Sequence, residues 1–258
     1  MRHLSKTRAI LSAAVVSCGL SAAADAQSIG VNFVGGFGTP SNGTSLADTD
    51  VAGLVPQAHF NNASGASGTL AGLVDSGASH TGASLTWKSP NTWASGTDTT
   101  TPNGKLLNGY IDSNGTAAGG AMVSVTGVPY KVYDLVVYLN TDNGGGVPRV
   151  GDYEVVTSGG TLTQQVSYPK SSNLTLAPPV GDNTIPINAT TPSGTAIVFA
   201  GLTDSTLTLE TNQAKLPNVN FRAPISGFQI YSVPEPASLG VITVLGGLAL
   251  RRSRRQGV

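Results

Sequence analysis

Between residues 28 and 232 the chain repeats one pattern. Short runs alternate apolar and polar residues, and each run closes on a cluster of Gly, Asn, Asp, Ser or Pro. Alternation at period two places one set of side chains on one face of a strand, and the closing residues supply turns. The runs are SIGVNFVG (28–35), ASLTWKS (83–89), AMVSVTGV (121–128), DYEVVTS (152–158), STLTLET (205–211) and ISGFQIYS (225–232). Their inward faces are expected to carry Leu85 and Trp87, Tyr153 and Val155, Leu207 and Leu209, and Phe228 and Ile230. KVYDLVVYLN (131–140) is apolar on both faces, with Tyr133, Leu135, Val137 and Leu139 on one and Val132, Val136 and Tyr138 on the other. That pattern predicts a central strand. TAIVFAGL (195–202) predicts a strand buried on both faces. No window repeats convincingly at the helical period, so the expected fold is all-β: a single antiparallel β-sandwich spanning 27–232. Tyr133, Leu135, Val137, Leu139, Val198, Leu207, Leu209, Phe228 and Ile230 are expected to share one core. Residues 36–50, 91–105 and 140–149 are expected to be long polar loops.

Both ends of the chain carry transport signals. At the N-terminus Arg2, Lys6 and Arg8 precede an apolar stretch over 9–20, and Ala24-Asp25-Ala26 forms an A-x-A cleavage site. This is the layout of a secretory signal peptide, 1–26, removed after Ala26 by signal peptidase. Val15-Val16-Ser17-Cys18 offers an alternative, a lipobox with Cys18 as a lipidated terminus. At the C-terminus Val233-Pro234-Glu235-Pro236 is followed by 237–250, a run without a charge, and then by Arg251, Arg252, Arg254 and Arg255. The run reaches about 21 Å as a helix, at ~1.5 Å per residue. That is short for a bilayer core of about 30 Å, but snorkelling arginines extend it and mark the cytoplasmic side. A transmembrane helix over 237–250 is expected.

The charge balance changes once the two ends are set aside. Charged residues make up 11% of the chain, against about 25% in typical soluble proteins. Over 27–233 seven basic and twelve acidic residues remain, so this part is acidic and offers nucleic acid no basic surface. Cys18 is the only cysteine. A chain cleaved after Ala26 therefore has no disulfide, thiolate metal site or cysteine nucleophile. Its stability must come from its core.

The three-part tail resembles the PEP-CTERM sorting signal. The resemblance covers residues 233–258 and implies retention in the inner membrane, then processing by exosortase near the Pro-Glu-Pro turn. The block order IGVNFVGG, DTDVAGLVPQAHFNN, YDLVVYLN, IVFAGLTDSTLTLE and RAPISGFQI resembles jelly-roll modules of the galactose-binding-like and carbohydrate-binding type. That resemblance implies a last strand returning beside the first, and it brings no residue-level binding motif.

Candidate chemistry is sparse. Asp152 and Glu154 lie two apart on one strand, the spacing of a same-face pair, and paired carboxylates can serve glycoside hydrolysis. A solvated strand face explains them more simply. His59 and His80 lack both a G-x-S-x-G elbow and zinc-ligand spacing. Asp48 and Asp50, or Asp142 and Asn143, are the residues for a structural calcium, although Asx turns account for both pairs. No other cofactor or metal is expected. Five N-x-S/T sequons, at Asn42, Asn62, Asn114, Asn173 and Asn188, are what a chain so rich in Asn, Ser and Thr contains by chance. Trp93, in the polar stretch SPNTWASG, is the residue placed for stacking on sugar rings, with Tyr110 as a second platform ring. The functional expectation is an exported, non-enzymatic cell-surface or extracellular-matrix protein associated with exopolysaccharide. A carbohydrate-binding module is the first alternative and a secreted glycoside hydrolase the second.

Overall fold

The alternating runs pair into two large sheets whose inward rows face each other. In the computed structural model the described residues are 27–36, 43–113, 120–142, 150–178, 193–212 and 222–233. In chain order the strands are β1 (Ser28–Phe33), β2 (Asn61–Ala63), β3 (Ser67–Leu70), β4 (Ser84–Lys88) and β5 (Asn91–Ala94). After the short helix α1 (Pro102–Leu106) come β6 (Gly109–Asp112), β7 (Met122–Thr126), β8 (Tyr133–Tyr138) and β9 (Val150–Thr157). The last four are β10 (Gly160–Ser167), β11 (Ala196–Leu202), β12 (Thr206–Asn212) and β13 (Gly227–Ser232). One sheet has the order β11-β8-β13-β1-β2, the other β10-β9-β12-β7-β4-β3, and β5-β6 forms a small third sheet. The ladders of the two large sheets are antiparallel except β1·β2, which is parallel, so the expected purely antiparallel sandwich is corrected at that edge.

The main core lies between the large sheets. Across the five-stranded sheet one inward row runs Ile29, Ile230, Leu135, Phe199 and the next Val31, Phe228, Val137, Ile197. The six-stranded sheet answers with Trp87, Val123, Leu209 and Val155 in a single register row. Phe33 meets Trp87 edge to face, with ring centroids 6.1 Å apart. Gly68 stands opposite Trp87, and a Cβ there would come within 2.5 Å of the indole. The glycine therefore lets the ring lie flat over its neighbour strand.

The outer faces of the two sheets differ. On the five-stranded sheet Val136, Tyr138 and Ala196 are covered by Leu46, Ala52, Phe60, Leu106 and Leu107. Buried amides hold that cover in place. Gln229 donates to Val55 O and to Gln57 Oε1, both at 2.8 Å, and Tyr138 donates to Gln229. Val198 packs against this second cluster, not the main one, so its expected place in the inter-sheet core is corrected. Strand β11 is also less buried than its apolar sequence implied, because Ala200 and Gly201 are exposed at the sheet edge. The outer face of the six-stranded sheet is open. One row crosses all six strands as Thr69, Thr86, Ser124, Thr208, Val156 and Thr161. Two hydroxyl pairs on it, Thr69–Thr86 and Ser124–Thr208, lie 3.3 and 3.2 Å apart. Hydroxyls make up most of this row, while the next row on the same face carries Lys88, Glu210 and Glu154.

The chain enters and leaves the fold at one end. Ser28 stands opposite Tyr231, and Ser232 N donates to Gln27 O at 2.9 Å. The last strand therefore lies beside the first. Ala24, Ala26, Cys18, Pro234, Glu235, Pro236, the run 237–250 and Arg251, Arg252, Arg254 and Arg255 lie outside the described residues. Among the described residues no helix is long and apolar enough to cross a membrane.

Candidate functional site

The site grows from a stretch expected to be loop. Asn91–Ala94 forms β5 and pairs with β6, setting Trp93 opposite Tyr110. Between them lies α1, which begins with Thr101 as N-cap and Pro102 in its first turn. Thr101 Oγ1 accepts from Gly104 N at 3.1 Å, the usual cap geometry. Trp93 is thus a strand residue, and the loop assignment of 91–105 is corrected. The hairpin is tied to the sandwich by two bonds between Ile111 and Ile225, at 3.0 and 2.9 Å. Two glycines permit the close fit. A Cβ on Gly35, at φ 71°, would fall 2.2 Å from Trp93 O, and one on Gly109 would fall 2.0 Å from Val34 O.

Trp93 lines an open cleft of about 460 Å³ with Thr44, Ser95, Thr97, Asn108 and Asp142 among its neighbours. Each wall is fixed by a side-chain amide. Asn108 donates to Thr44 Oγ1 at 2.7 Å and accepts from Gly96 N at 3.1 Å, joining two walls. Asn32 donates to Thr44 O at 3.0 Å. Asn140, fully buried, donates to Leu107 O at 2.5 Å and Ser171 O at 2.9 Å, and accepts from Thr141 N at 2.9 Å. Arg222 Nη2 meets Asp112 Oδ2 at 2.5 Å, and Nη1 lies 3.7 Å from Oδ1 of the lining residue Asp142. Burial works against the Arg222 charge, yet Asp112, Tyr110 and Asp142 outweigh it and hold its pKa above the ordinary arginine value.

Trp93 is half-buried and contributes to the surface of the cleft. Such a surface can stack on the apolar face of a pyranose while nearby hydroxyls and carboxylate bond its hydroxyl groups. Tyr110 does not share this role. It is 1% exposed, so no ring face is offered to a ligand, and its place as a second platform is corrected.

The other candidates lie elsewhere. Asp152 is buried opposite Gln165, contrary to a solvated face, while Glu154 is half-buried opposite Glu210. Neither lines the Trp93 cleft, in which Asp142 is the only carboxylate among the described lining residues. His80 Nδ1 lies 2.9 Å from Gly72 O, and His59 adopts a positive φ of 57°. Asp50 Oδ2 is occupied by Lys105 Nζ and Ala47 N, both at 2.8 Å. The Lys105 bond, then Ala47 N, holds the Asp50 carboxyl below its ordinary pKa. A cation already sits where the Asp48–Asp50 calcium was expected. Asn143 lies outside the described residues. No group of three or more His, Cys, Asp or Glu is placed to hold a metal among the described residues. The cleft residues that sequence reasoning passed over include Thr44 and Asn108.

No family model matches the chain, and neither a curated protein nor a solved structure matches it. The class is therefore defined by its architecture: an all-β protein of two facing sheets.

Proposed function

We propose that this is an exported jelly-roll protein of the cell envelope or extracellular matrix, sorted by exosortase through its tail, that binds neutral polysaccharide without cleaving it. The observation that carries the binding half is the cleft: half-buried Trp93 among Thr, Ser, Asn and Asp residues, held by buried asparagines. Support for the jelly roll comes from β13 lying between β1 and β8. A hydrolase is disfavoured because a glycosidase needs two carboxylates flanking one bond, and the described lining offers one.

Two experiments test the two halves. For export, sequencing of the mature N-terminus is expected to begin at Gln27, with the tail removed or held in the membrane. A lipidated Cys18 would overturn the cleavage assignment, and an intact chain through Val258 in the cytoplasm would overturn the sorting. For binding, a glycan array is expected to show neutral-sugar selectivity with weak salt dependence, since the cleft holds little charge to be screened. Trp93→Ala is expected to abolish that binding with a small change in melting temperature. Trp87→Ala is expected to do the reverse. Trp87 is 4% exposed and donates to Gly65 O at 3.1 Å, so its truncation costs about 3–5 kcal/mol. A comparable loss for Trp93→Ala would mean that the indole packs as structure and is no platform.

A further inference from the structure

We propose that the outer edge of β10 is a self-association surface. A second copy of this chain adds its own β10 there, antiparallel, and the two six-stranded sheets become one. The inference goes beyond glycan binding and does not depend on it.

The two large sheets have four edge strands, and three are blunted. β2 has three residues and β3 has four, too short to template a partner. β11 is closed along its edge. Ala177 N donates to Ala196 O at 2.8 Å, Gln164 Nε2 donates to Val198 O at 2.5 Å, and the register shifts after Phe199. β10 is the exception. It runs eight residues, GTLTQQVS, without a charge, a proline or a register shift, the devices by which proteins protect an edge.

Its main-chain groups are placed for pairing. The two-residue turn Ser158-Gly159 makes Thr157 and Gly160 the first bonded pair of the β9·β10 hairpin. Bonding then alternates, so the N–H and C=O of Thr161, Thr163 and Gln165 point away from β9. Ser167, next in that series, uses its outward C=O to accept from Gly194 N at 3.0 Å. Among the described residues no other main-chain bond reaches this edge. Gln165 is buried, so the open stretch is 160–164, with Leu162 at its midpoint. Leu162 is 45% exposed although it stands opposite the core residue Val155.

A two-fold axis beside Leu162 sets that leucine against its copy in a non-bonded pair, where side chains approach closest. Thr161 and Thr163 then exchange main-chain bonds with Thr163 and Thr161 of the second copy. Glu154 stands opposite Thr163 on β9. Its copy would lie about 14 Å away across the joined sheet, beyond a screening length of about 8 Å. The stretch is thus its own complement under the axis and does not repel itself, which singles out a second copy over a charged partner. The contact is small, well under the roughly 1,200 Å² of stable interfaces, so the dimer is transient.

The test is sedimentation velocity of the full chain in mild detergent over roughly a hundredfold range of concentration, since mass action sets the dimer fraction. Wild type should shift toward dimer as concentration rises. Leu162→Lys sets two like charges face to face at the axis. Thr163→Pro deletes an outward N–H and leaves the β9 ladder its bonds. Each should weaken association by roughly tenfold or more, with the melting temperature of the dilute chain near wild type. Val51→Lys, at another exposed apolar residue, should leave association unchanged. Leu162→Cys, in a Cys18→Ser chain, should cross-link on oxidation where Val51→Cys does not. A monomer at every concentration overturns the proposal, as does a Leu162→Cys chain that cross-links no faster than Val51→Cys. Association that survives both β10 variants places the contact elsewhere and also overturns it. A monomer that instead pairs with another protein, in a complex lost on Leu162→Lys, assigns the edge to a foreign strand and overturns the second-copy reading.

Discussion

Leu135→Ala is expected to destabilise the protein by about 2–5 kcal/mol, the range for a buried leucine that its surroundings cannot collapse upon. Leu135 is 1% exposed and sits on β8, between β11 and β13. Phe199 stands opposite on one side and Ile230 on the other. Ile230 sits within an uninterrupted ladder, and Phe199 is the last regular partner before the register of β11 shifts. Denaturant unfolding should show a lower midpoint with an unchanged slope. Thr86→Ala, on the open outer face, should stay within about 0.5 kcal/mol and serves as the control. A loss below about 0.5 kcal/mol for Leu135→Ala would mean that β8 is misplaced.

Alkali is expected to unfold the protein in one steep transition between pH 10 and 12. Six of its seven tyrosines are buried. Burial, with a smaller push from Asp75, raises the Tyr130 phenol to about 12. Burial and Asp204 do the same for Tyr133, also to about 12. Tyr231 reaches about 12 through burial and its bond to Asp134. Tyr138 and Tyr153 are pushed higher by burial. The folded pKa of each lies above the unfolded value near 10, so the folded state holds these protons more tightly. Their stabilising contribution is whole below pH 10 and is lost as pH rises through the folded values. Each pKa unit corresponds to at most about 1.4 kcal/mol, and solvent near a partly buried hydroxyl such as that of Tyr133 reduces its share. A domain stable by about 5–15 kcal/mol cannot sustain several such losses. Phenolate absorbance and circular dichroism should change together. Phenolate appearing near pH 10 while the strand signal persists would show that the rings are not buried as described.

What the sequence made legible was the part whose pattern is long enough to repeat. Tyr133, Leu135 and Val137 alternate over a full strand, and β8 duly lies inside its sheet. Elements too short to show a period stayed hidden. Helix α1 has five residues, although Thr101-Pro102 was a readable start signal. Strand β5 has four, in an Asn-Thr-Trp-Ala run that reads as a turn. The cover over the outer face escaped for another reason. Leu46, Ala52 and Phe60 are apolar without being periodic, and only the fold brings them onto Val136 and Tyr138. Val198 was misassigned because a strand pattern gives the face a residue occupies but not what packs there. Trp93 was singled out by its chemistry, and the structure places it on the cleft. Asp142 and Arg222 are 80 residues apart in the sequence, and no local signal joins them.

The shared end of Gln27 and Val233 has a mechanical consequence. Val34, Ser226 and Asp142 lie at the far ends of β1, β13 and β8, and the cleft is there, about 20 Å away for six-residue strands at ~3.3 Å per residue. For a protein held by its tail and gripped at its cleft, the pull would run along the axis of β13. That strand is bonded on both sides, to β1 and to β8. A force along the axis loads both ladders in shear, with every bond sharing the load at once. The same force applied across an edge strand such as β3 would part bonds one at a time. A tether placed after Val233 therefore pulls on the fold in the direction in which it yields last.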